Sequence, residues 1–308
     1  VPEPPVERSE TAAGGGAMRL GLDFGGTKIE GVALDPEGAE RARARVPTPR
    51  HDYDGCVRAI AGLMERLEGA AGGRVERVGI GVPGAVDRDS GVVYGGNSTW
   101  LHGRPLQKDL ANALDRPVKI ANDANCFALS EAVDGAGIGA QVVGGGIVVR
   151  GQLVEGVNAI GGEWGHIPLP TPLDDERPGP LCSCGVHGHT EAWLSGRSLA
   201  ADYARRIGIA VEDAPPAQEV IAKAAEGDGP AEETIRRFED RLGRSLALIV
   251  NVLDPDVIVL GGGLSNVPRF YETVPDKIAA HVFGPRFNTR LVQNRHGDSS
   301  GVRGAAWL

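Results

Sequence analysis

The chain has 308 residues, of which 41% are hydrophobic, and a formal net charge of −9 at pH 7. This length allows a large core and about two domains, and the acidic balance argues against a nucleic-acid partner. No apolar run reaches the roughly 18 residues of a membrane span and no leader pattern opens the chain, so we expect a cytoplasmic protein without a membrane partner.

The first segment of the chain lacks hydrophobic periodicity. Residues 1–17 combine prolines, charges and three consecutive glycines, which predicts a disordered tail before a structural start at Met18. Short segments of strand-forming residues then predict three strands, over 19–24, 28–34 and 40–46. Asp35-Pro-Glu-Gly38 predicts the turn between the last two of these strands.

The turn between the first two strands suits a polyphosphate. Gly25 and Gly26 can adopt positive φ angles and let backbone N–H groups approach phosphate oxygens. Asp23 precedes them as a candidate partner of Mg²⁺ or its water shell, and Thr27 and Lys28 add a hydroxyl and a positive charge. An ordinary Gly-Gly hairpin is the alternative interpretation of this segment.

Helices and strands alternate along the middle of the chain, which favours an α/β fold. The pattern predicts a helix over 54–68, a strand over 75–82 that ends in Pro83-Gly84, a helix over 105–114 and a strand over 117–121. The last strand runs into Asn122 and Asp123 at the start of another helix, where ligand sites concentrate in such folds. Either residue can simply cap the helix. The functional interpretation has Asp123 accept a proton from a substrate hydroxyl while Asn122 fixes that substrate.

The second half of the chain is predicted to be mainly helical. Helices are predicted near 197–206, 217–226, 231–252 and 301–308, and one strand over 256–260. Gly261, Gly262 and Gly263 follow this strand, and such a turn lets a flat ligand or a phosphate lie against the backbone. Packing alone is the other explanation for these glycines.

Cysteines and histidines cluster between positions 166 and 189. Two thiolates and two imidazoles can supply four tetrahedral ligands to zinc, and His166, Cys182, Cys184 and His189 form such a set. His187 competes with His189 for the fourth position, and reduced thiols in a polar loop are the alternative. A zinc ion held by four protein ligands would be structural and would hold Glu163 and Glu191 rigidly.

Taken together, these motifs resemble the ROK sugar kinases over about residues 18–308. The motifs that carry the resemblance are Asp23-x-Gly-Gly-Thr-Lys28, Val82-Pro-Gly84, Asn122-Asp-Ala-Asn125, Glu163-Trp-Gly-His166, Cys182-x-Cys-Gly-x-x-Gly-x-x-Glu191 and Leu260-Gly-Gly-Gly263. Further stretches look most like the bacterial fructokinase and mannokinase branch, with N-acetylglucosamine kinase as a near neighbour. The resemblance implies an α/β, actin-like (ribonuclease H-like) ATPase fold of two lobes around a cleft.

The resemblance also implies the chemistry. It implies ATP-dependent phosphorylation of the 6-hydroxyl of a hexose, most simply fructose, with Asp123 as the base, Mg²⁺ as cofactor, structural zinc and a homodimer. The implied sugar contacts are Gly84, Asn97, Asn122, Asp123, Glu163, His166 and Glu191. ATP is expected at Asp23, Gly25, Gly26, Thr27 and Lys28 and at Gly261, Gly262 and Gly263. The implied lobes are 18–123 and 124–295, with 296–308 as a helix that returns to the first.

This sequence departs from the family pattern at two places. The family has a cysteine where this chain has His189, and zinc tolerates that exchange. Between Val143 and Gly144 about nine residues of the family pattern, with a second phosphate loop, are missing. The missing loop makes a sugar-binding protein that transfers phosphate poorly an alternative. Glucokinase, mannokinase and N-acetylglucosamine kinase are also kept as alternatives, because kinases for different hexoses share these motif residues. A transcriptional repressor of the same family is disfavoured, because no recognition-helix domain precedes Met18.

Overall fold

The computed structural model describes residues 7–8, 17–75, 77–87, 90–96 and 98–308. They divide into two compact units, of which unit 1 runs to Gly162 and resumes over Asn294–Leu308, and unit 2 is Glu163–Gln293. This division places 124–162 with the first unit, whereas the sequence pattern put a lobe boundary at 123. Of the tail predicted over 1–17, Glu7–Arg8 forms a short strand, and residues 1–6 and 9–16 lie outside the described part of the chain.

Unit 1 is a mixed α/β unit, as predicted. Its strands are β1 (Glu7–Arg8), β2 (Arg19–Phe24), β3 (Lys28–Leu34), β4 (Glu40–Pro47), β5 (Val78–Val82), β6 (Ala85–Val86), β7 (Val93–Tyr94), β8 (Val118–Asn122), β9 (Val142–Val143), β10 (Ile147–Val149) and β11 (Gln152–Leu153). Its helices are α1 (Tyr53–Ala71), α2 (Leu106–Leu114), α3 (Asp123–Val133) and α8 (Ser300–Trp307).

The main sheet of unit 1 has the strand order β1-β4-β3-β2-β5-β8. β2, β3 and β4 pair antiparallel through hairpin connections, and β1 pairs antiparallel with β4. β5 pairs parallel with β2, and β8 pairs parallel with β5, because a helix precedes each of these two strands. This topology brings the carboxyl ends of β2, β5 and β8 to one edge of the sheet.

Helix α1 covers one face of this sheet. Asp52 caps its first turn by accepting a hydrogen bond from Gly55 N (2.8 Å), and Gly72 ends it in the left-handed conformation. Ile60, Leu63 and Leu67 recur at helical spacing and are almost completely buried in the core.

Helix α8 contacts the other side of the sheet so closely that glycines are needed at the contact. A Cβ atom on Gly21 of β2 would overlap the carbonyl of Val302, and one on Gly79 of β5 would overlap that of Ala305. Gly304 lies in the same way against the backbone of Cys126 in α3. Helix α8 is therefore packed backbone to backbone against β2 and β5.

Unit 2 is mainly helical, also as predicted. It contains α4 (Gly196–Ile207), α5 (Ala217–Ala225), α6 (Gly229–Leu253), β12 (Val257–Leu260), α7 (Arg269–Ala279) and β13 (Arg290–Gln293), with β12 and β13 pairing parallel. Asp228 caps the long helix α6, and its Phe238 stacks on Phe270 of α7 with the ring centroids 5.4 Å apart. None of the helices in the described part of the chain is long and apolar enough to cross a membrane.

Candidate functional site

The two candidate aspartates of unit 1 lie at the same edge of the sheet. Asp23 is near the carboxyl end of β2 and pairs with Gly81 of β5, and Asn122, the last residue of β8, pairs with Val82. One strand, β5, lies between β2 and β8, so these two strands are roughly 10 Å apart. Asp123 directly follows β8 as the first residue of α3. The structure therefore brings the predicted phosphate turn and the predicted base to one edge of one sheet.

Asn122 is the residue that caps helix α3. Its Oδ1 accepts hydrogen bonds from Ala124 N (2.8 Å) and Asn125 N (3.3 Å), and its Nδ2 donates to the carbonyl oxygen of Gly84 (2.9 Å). Asp123 also accepts from Ala124 N (2.8 Å) but has no ion-pair partner among the described residues. The capping alternative thus applies to Asn122 and leaves the Asp123 carboxylate available for chemistry.

The carboxyl groups of Asp23 and Asp123 both have raised pKa values. Burial raises the pKa of Asp123 above its ordinary range, although its side chain remains accessible from solvent. Burial, followed by repulsion from Asp123 and Glu30, raises the pKa of Asp23 to about 6, and Lys28 opposes this shift. The charge on one aspartate thus affects the other, and a cation bound here would relieve their repulsion.

The turn at residues 25–28 has a different backbone from the one predicted. Neither Gly25 nor Gly26 has a positive φ, so the expectation of a left-handed hairpin turn is wrong. Gly25 instead allows close approach, because a Cβ there would lie 2.9 Å from the carbonyl oxygen of Lys28. The turn is fixed by Thr48, whose hydroxyl donates to Gly25 O (2.7 Å) and whose N–H donates to Thr27 O (3.0 Å).

Glu30 is a residue of this region that the sequence analysis missed. Its carboxylate is almost completely buried and pairs with Lys28 (3.3 Å), Arg45 (2.8 Å) and Arg43. These cations hold the pKa of Glu30 below its usual range in spite of burial. Lys28 is still half exposed, so its ammonium group is oriented by Glu30 but remains accessible to an anion.

Gly84 has the conformation that only glycine adopts easily. Its φ is +96°, and a Cβ would overlap the carbonyl oxygen of Tyr94. Its own carbonyl accepts the hydrogen bond from Asn122, which ties the Pro83-Gly84 turn to the start of α3. Asn97, the neighbouring candidate, lies outside the described residues.

In unit 2 the four predicted metal ligands come together. The ligand atoms of His166, Cys182, Cys184 and His189 all lie within 4.8 Å of one another. Cys184 Sγ is 3.3 Å from Cys182 Sγ and 3.2 Å from His189 Nδ1, and His166 Nδ1 is 3.5 Å from Cys182 Sγ. Two sulfurs and two ring nitrogens at these separations fit a tetrahedral zinc ion.

His187, the competing candidate, does not join this cluster. Its Nδ1 is 2.9 Å from the carbonyl oxygen of Gly179 and its ring is exposed. His189 is largely buried beside Cys184, so the loop presents the second of the two histidines to the cluster.

The two candidate glutamates of unit 2 contact this cluster. Glu191 Oε1 accepts hydrogen bonds from the Cys182 thiol and the Ser183 hydroxyl, each at 2.8 Å. His166 Nε2 lies 3.8 Å from a carboxylate oxygen of Glu163 and 3.8 Å from one of Glu191. Burial and the Glu191 contact raise the pKa of Cys182 to about 11, so a thiolate there requires a bound cation. The sequence analysis did not single out Ser183 as a hydrogen-bond donor to Glu191. Its position between the two cysteines is the one signal in the sequence for this contact.

Gly263, the last of the three glycines after β12, borders a cavity of about 510 Å³ within unit 2. Gly262 has a φ of +73°, and Gly263 begins a short 3-10 helix. Gly263 lines the cavity together with Arg197 and Ala200 of α4 and with Gln218 of α5. This concave surface is large enough to hold a flat ring system.

The segment from 141 to 149 folds as a short hairpin. Val143 of β9 pairs with Ile147 of β10, and only Gly144, Gly145 and Gly146 separate them. Gly145 and Gly146 lie so close to Ala124 and Asn125 of α3 that a Cβ on either would overlap them. The short connection is therefore closed by direct packing on the helix that carries Asp123.

Comparisons with known proteins agree over almost the whole chain. A model described as the ROK family matches residues 19–308. An N-acetyl-D-glucosamine kinase from Yersinia pseudotuberculosis is 39% identical over 305 residues, which cover 94% of this chain and 98% of that protein. An N-acetyl-D-glucosamine kinase from Escherichia coli O157:H7 is 38% identical over 94% of this chain and 99% of its own length.

Solved structures give the same result. A ROK hexokinase from Thermus thermophilus superposes with a TM-score of 0.80 at 32% identity, covering 94% of this chain and 96% of that one. A ROK family glucokinase from Streptomyces griseus in complex with glucose and AMPPNP has a TM-score of 0.72 at 28% identity, with 95% and 99% covered. These similarities confirm the predicted actin-like ATPase fold.

Proposed function

The chain belongs to the ROK family, and from this premise we propose that it is an ATP-dependent kinase that phosphorylates the 6-hydroxyl of a hexose. The observation that carries the proposal is the pair of carboxylates at one sheet edge, where Asn122 performs the capping and leaves Asp123 accessible. Asp123 is then the base that accepts the proton of the sugar hydroxyl. Its raised pKa favours that proton transfer, because the protonated form is stabilised.

The roles of the other residues of unit 1 follow from their chemistry. Mg²⁺ held at Asp23 would neutralise charge that develops on the transferred phosphoryl group. The turn from Gly25 to Lys28 is proposed to lie against the ATP phosphates, with the backbone N–H groups of Gly26 and Thr27 as donors and Lys28 as a positive charge, while the Gly25 N–H closes the turn by donating to Lys28 O (2.9 Å). Phosphoryl transfer depends mainly on such positioning and charge neutralisation.

The remaining ligand contacts are proposals of the same kind. The adenosine of ATP is proposed to lie by Gly261, Gly262 and Gly263, at the cavity of about 510 Å³. Sugar contacts are proposed for Gly84, Asn97, Asn122, Glu163, His166 and Glu191. Zinc bound by His166, Cys182, Cys184 and His189 would fix Glu163 and Glu191 through His166 and Ser183, as outer carboxylates commonly fix zinc-bound histidines. A homodimer and a cytoplasmic location remain expectations from the sequence.

N-acetylglucosamine is the substrate we propose to test first, because relatives 38–39% identical over nearly their whole length have that activity in their names. Fructose, which the sequence pattern favoured, remains the main alternative, followed by mannose and glucose. A coupled assay of ADP formation with all four sugars decides between them. We expect one sugar to exceed the others by about tenfold or more in kcat/KM.

A second candidate function is a sugar-binding protein that transfers phosphate poorly. The short Val143–Ile147 hairpin favours it, since the family pattern has a further phosphate loop there. Calorimetry with the preferred sugar, alone and with AMPPNP, separates the two candidates. Sugar binding without nucleotide binding or ADP formation would support the second, and ADP formation at an ordinary rate of about 10 per second would exclude it. The intact mass of the purified protein verifies the length of the hairpin.

A further inference from the structure

Unit 2 contains a second concave site that none of the proposed catalytic or zinc-binding residues lines. It is a cavity of about 530 Å³ bordered by α4, α6 and the segment that precedes the cysteines. Four arginines line it, namely Arg205, Arg206, Arg237 and Arg241, together with Trp193. We call it the arginine cavity.

Three residues that line this cavity each have one buried N–H group without a hydrogen-bond acceptor among the described residues. The groups are Trp193 Nε1, Arg237 Nε and Arg241 Nη2. Arg241 is the most constrained, because its side chain is only 2% exposed while Nε donates to Glu176 (2.7 Å), Nη1 donates to Asp202 (2.7 Å) and the guanidinium lies over the Trp193 ring, 4.3 Å from its centroid. Indole and guanidinium nitrogens only donate, and leaving them unpaired is costly, so an acceptor bound beside these side chains would be stabilised.

The charge of the cavity is positive. Its lining has four guanidinium groups and two carboxylates, Asp175 and Asp202. A third carboxylate, Glu176, lies 2.7 Å from Arg241 Nε and 4.0 Å from Arg237 Nη2, so the guanidinium groups still outnumber the carboxylates. Arg237 Nη1 donates to Asp175 (2.5 Å), but its Nε is 4.0 Å from Asp202, beyond hydrogen-bond distance. Arg205 and Arg206, in the exposed last turn of α4, have no carboxylate partner in the described part of the chain. A neutral water could satisfy a donor but would leave this excess charge uncompensated.

We propose that the arginine cavity binds a phosphate-type oxyanion, either free phosphate or a phosphate monoester. Phosphate oxygens are acceptors only, and guanidinium groups match them in geometry and charge. The cavity is also adjacent to the cysteine loop. Gly179 and Pro180 line it, and their carbonyls are 2.9 Å from His187 Nδ1 and Gly188 N. The arginine cavity thus borders the loop that carries Cys182, Cys184 and His189.

Phosphate binding to the full chain tests this proposal. Isothermal titration and thermal unfolding are followed with sodium phosphate against sodium chloride at equal ionic strength. We expect saturable binding in the wild type, weakened about tenfold or more by Arg237→Gln and by the double variant Arg205→Gln/Arg206→Gln. The double variant changes only exposed side chains, so it keeps the test valid if Arg237→Gln impairs folding. Arg236→Gln is the matched control, because Arg236 is on the same helix but is 57% exposed and pairs with Glu233.

Phosphate could also bind at the proposed ATP turn, and Lys28→Gln separates the two sites. The proposal predicts that Lys28→Gln retains the phosphate effect, whereas the arginine variants lose it. A phosphate effect that Lys28→Gln abolishes, or that Arg236→Gln weakens as much as Arg237→Gln does, would overturn it, as would no effect beyond that of chloride. Titration with a hexose 6-phosphate in parallel distinguishes a monoester from the free ion. These measurements need no ATP turnover, so they stand apart from the test of the kinase.

Discussion

In unit 1 the candidate residues lie at the ends of paired strands, whereas in unit 2 the cluster of cysteines and histidines lies in a segment with little regular structure. The hydrogen-bonded ladder of β2, β5 and β8 determines where Asp23 and Asp123 lie. Residues 164–192 have only short 3-10 turns and isolated bridges. The contrast shows that a sheet can hold repelling carboxylates in place by its backbone, while an irregular segment needs a cross-link among its side chains.

The largest expected effect is that of removing the proposed base from the rigid region. Asp123→Asn preserves the size of the side chain and its contact with Ala124 N, yet it cannot accept the proton. We expect kcat to fall by about 1,000-fold, within the usual range for loss of a general base, with little change in sugar affinity. The measurement is hexose-dependent ADP formation, with sugar binding followed by calorimetry.

Asp115→Asn is the matched control for this variant. Asp115 is fully exposed and has a left-handed φ of +49°, which asparagine tolerates. It should retain wild-type kcat. Equal kcat values for Asp123→Asn and the wild type would show that Asp123 is not the base.

The next effect concerns the proposed zinc ion, which would cross-link the irregular segment of unit 2 through its four ligands. Cys184→Ser should reduce bound zinc from one ion per chain to almost none, because zinc prefers a full set of four ligands. Loss of an ion present at about 100 times its dissociation constant removes roughly 3 kcal/mol of stability. Metal analysis and the unfolding temperature of this unit measure both consequences.

The neighbouring histidines sharpen this prediction. His187→Ala should retain the ion, since the His187 ring is exposed and its Nδ1 is bonded to the Gly179 carbonyl, and His189→Ala should lose it. Loss of zinc from His187→Ala and its retention by His189→Ala would identify His187 as the fourth ligand instead. Retention of zinc by Cys184→Ser and His189→Ala alike would refute the site.

The smallest effect is a pH dependence of Mg²⁺ binding in unit 1. Asp23 has a pKa of about 6, so its carboxyl is mostly protonated below that pH and must lose the proton to hold Mg²⁺. The Mg²⁺ concentration for half-maximal rate should rise about tenfold for each pH unit below 6 and be constant above 7. Initial rates at pH 5, 6 and 7.5 across a Mg²⁺ series provide the measurement.

The same group affects stability in a direction that can be checked without turnover. The folded pKa of Asp23 lies above its ordinary value of 3.8, so folding favours the protonated form, and its contribution to stability is lost as pH rises from about 4 to 6. Asp23→Asn should remove this decline from the unfolding profile. A decline that persists in Asp23→Asn belongs to another group.

Much of unit 1 could be predicted from the sequence because its signals are local. The short apolar segments 19–24 and 28–34, interrupted by two glycines, predict β2 and β3 with their observed bounds. The Asp35–Gly38 turn is observed as well, with Gly38 at a φ of +86°. Local pattern also placed Asp123 at a strand-to-helix junction.

What the sequence could not determine depends on contacts between distant segments. The turn at Gly25 is held by Thr48, 23 residues further along the chain, and the pairing of Lys28 depends on Glu30, which is buried between Arg43 and Arg45 of the neighbouring strand β4. The choice between Asn122 and Asp123 as cap, and between His187 and His189 as ligand, rests on side-chain direction, which residue spacing alone leaves open.

The packing of α8 against β2 has a consequence for how the protein is made. Residues 300–307 are synthesised after every strand of this sheet, yet Gly21 and Gly79 leave room on the sheet only for the backbone of this helix. During translation the earlier strands therefore keep one apolar face uncovered until α8 has left the ribosome. Synthesis of α8, rather than growth of the amino-terminal half, is then the step that completes unit 1.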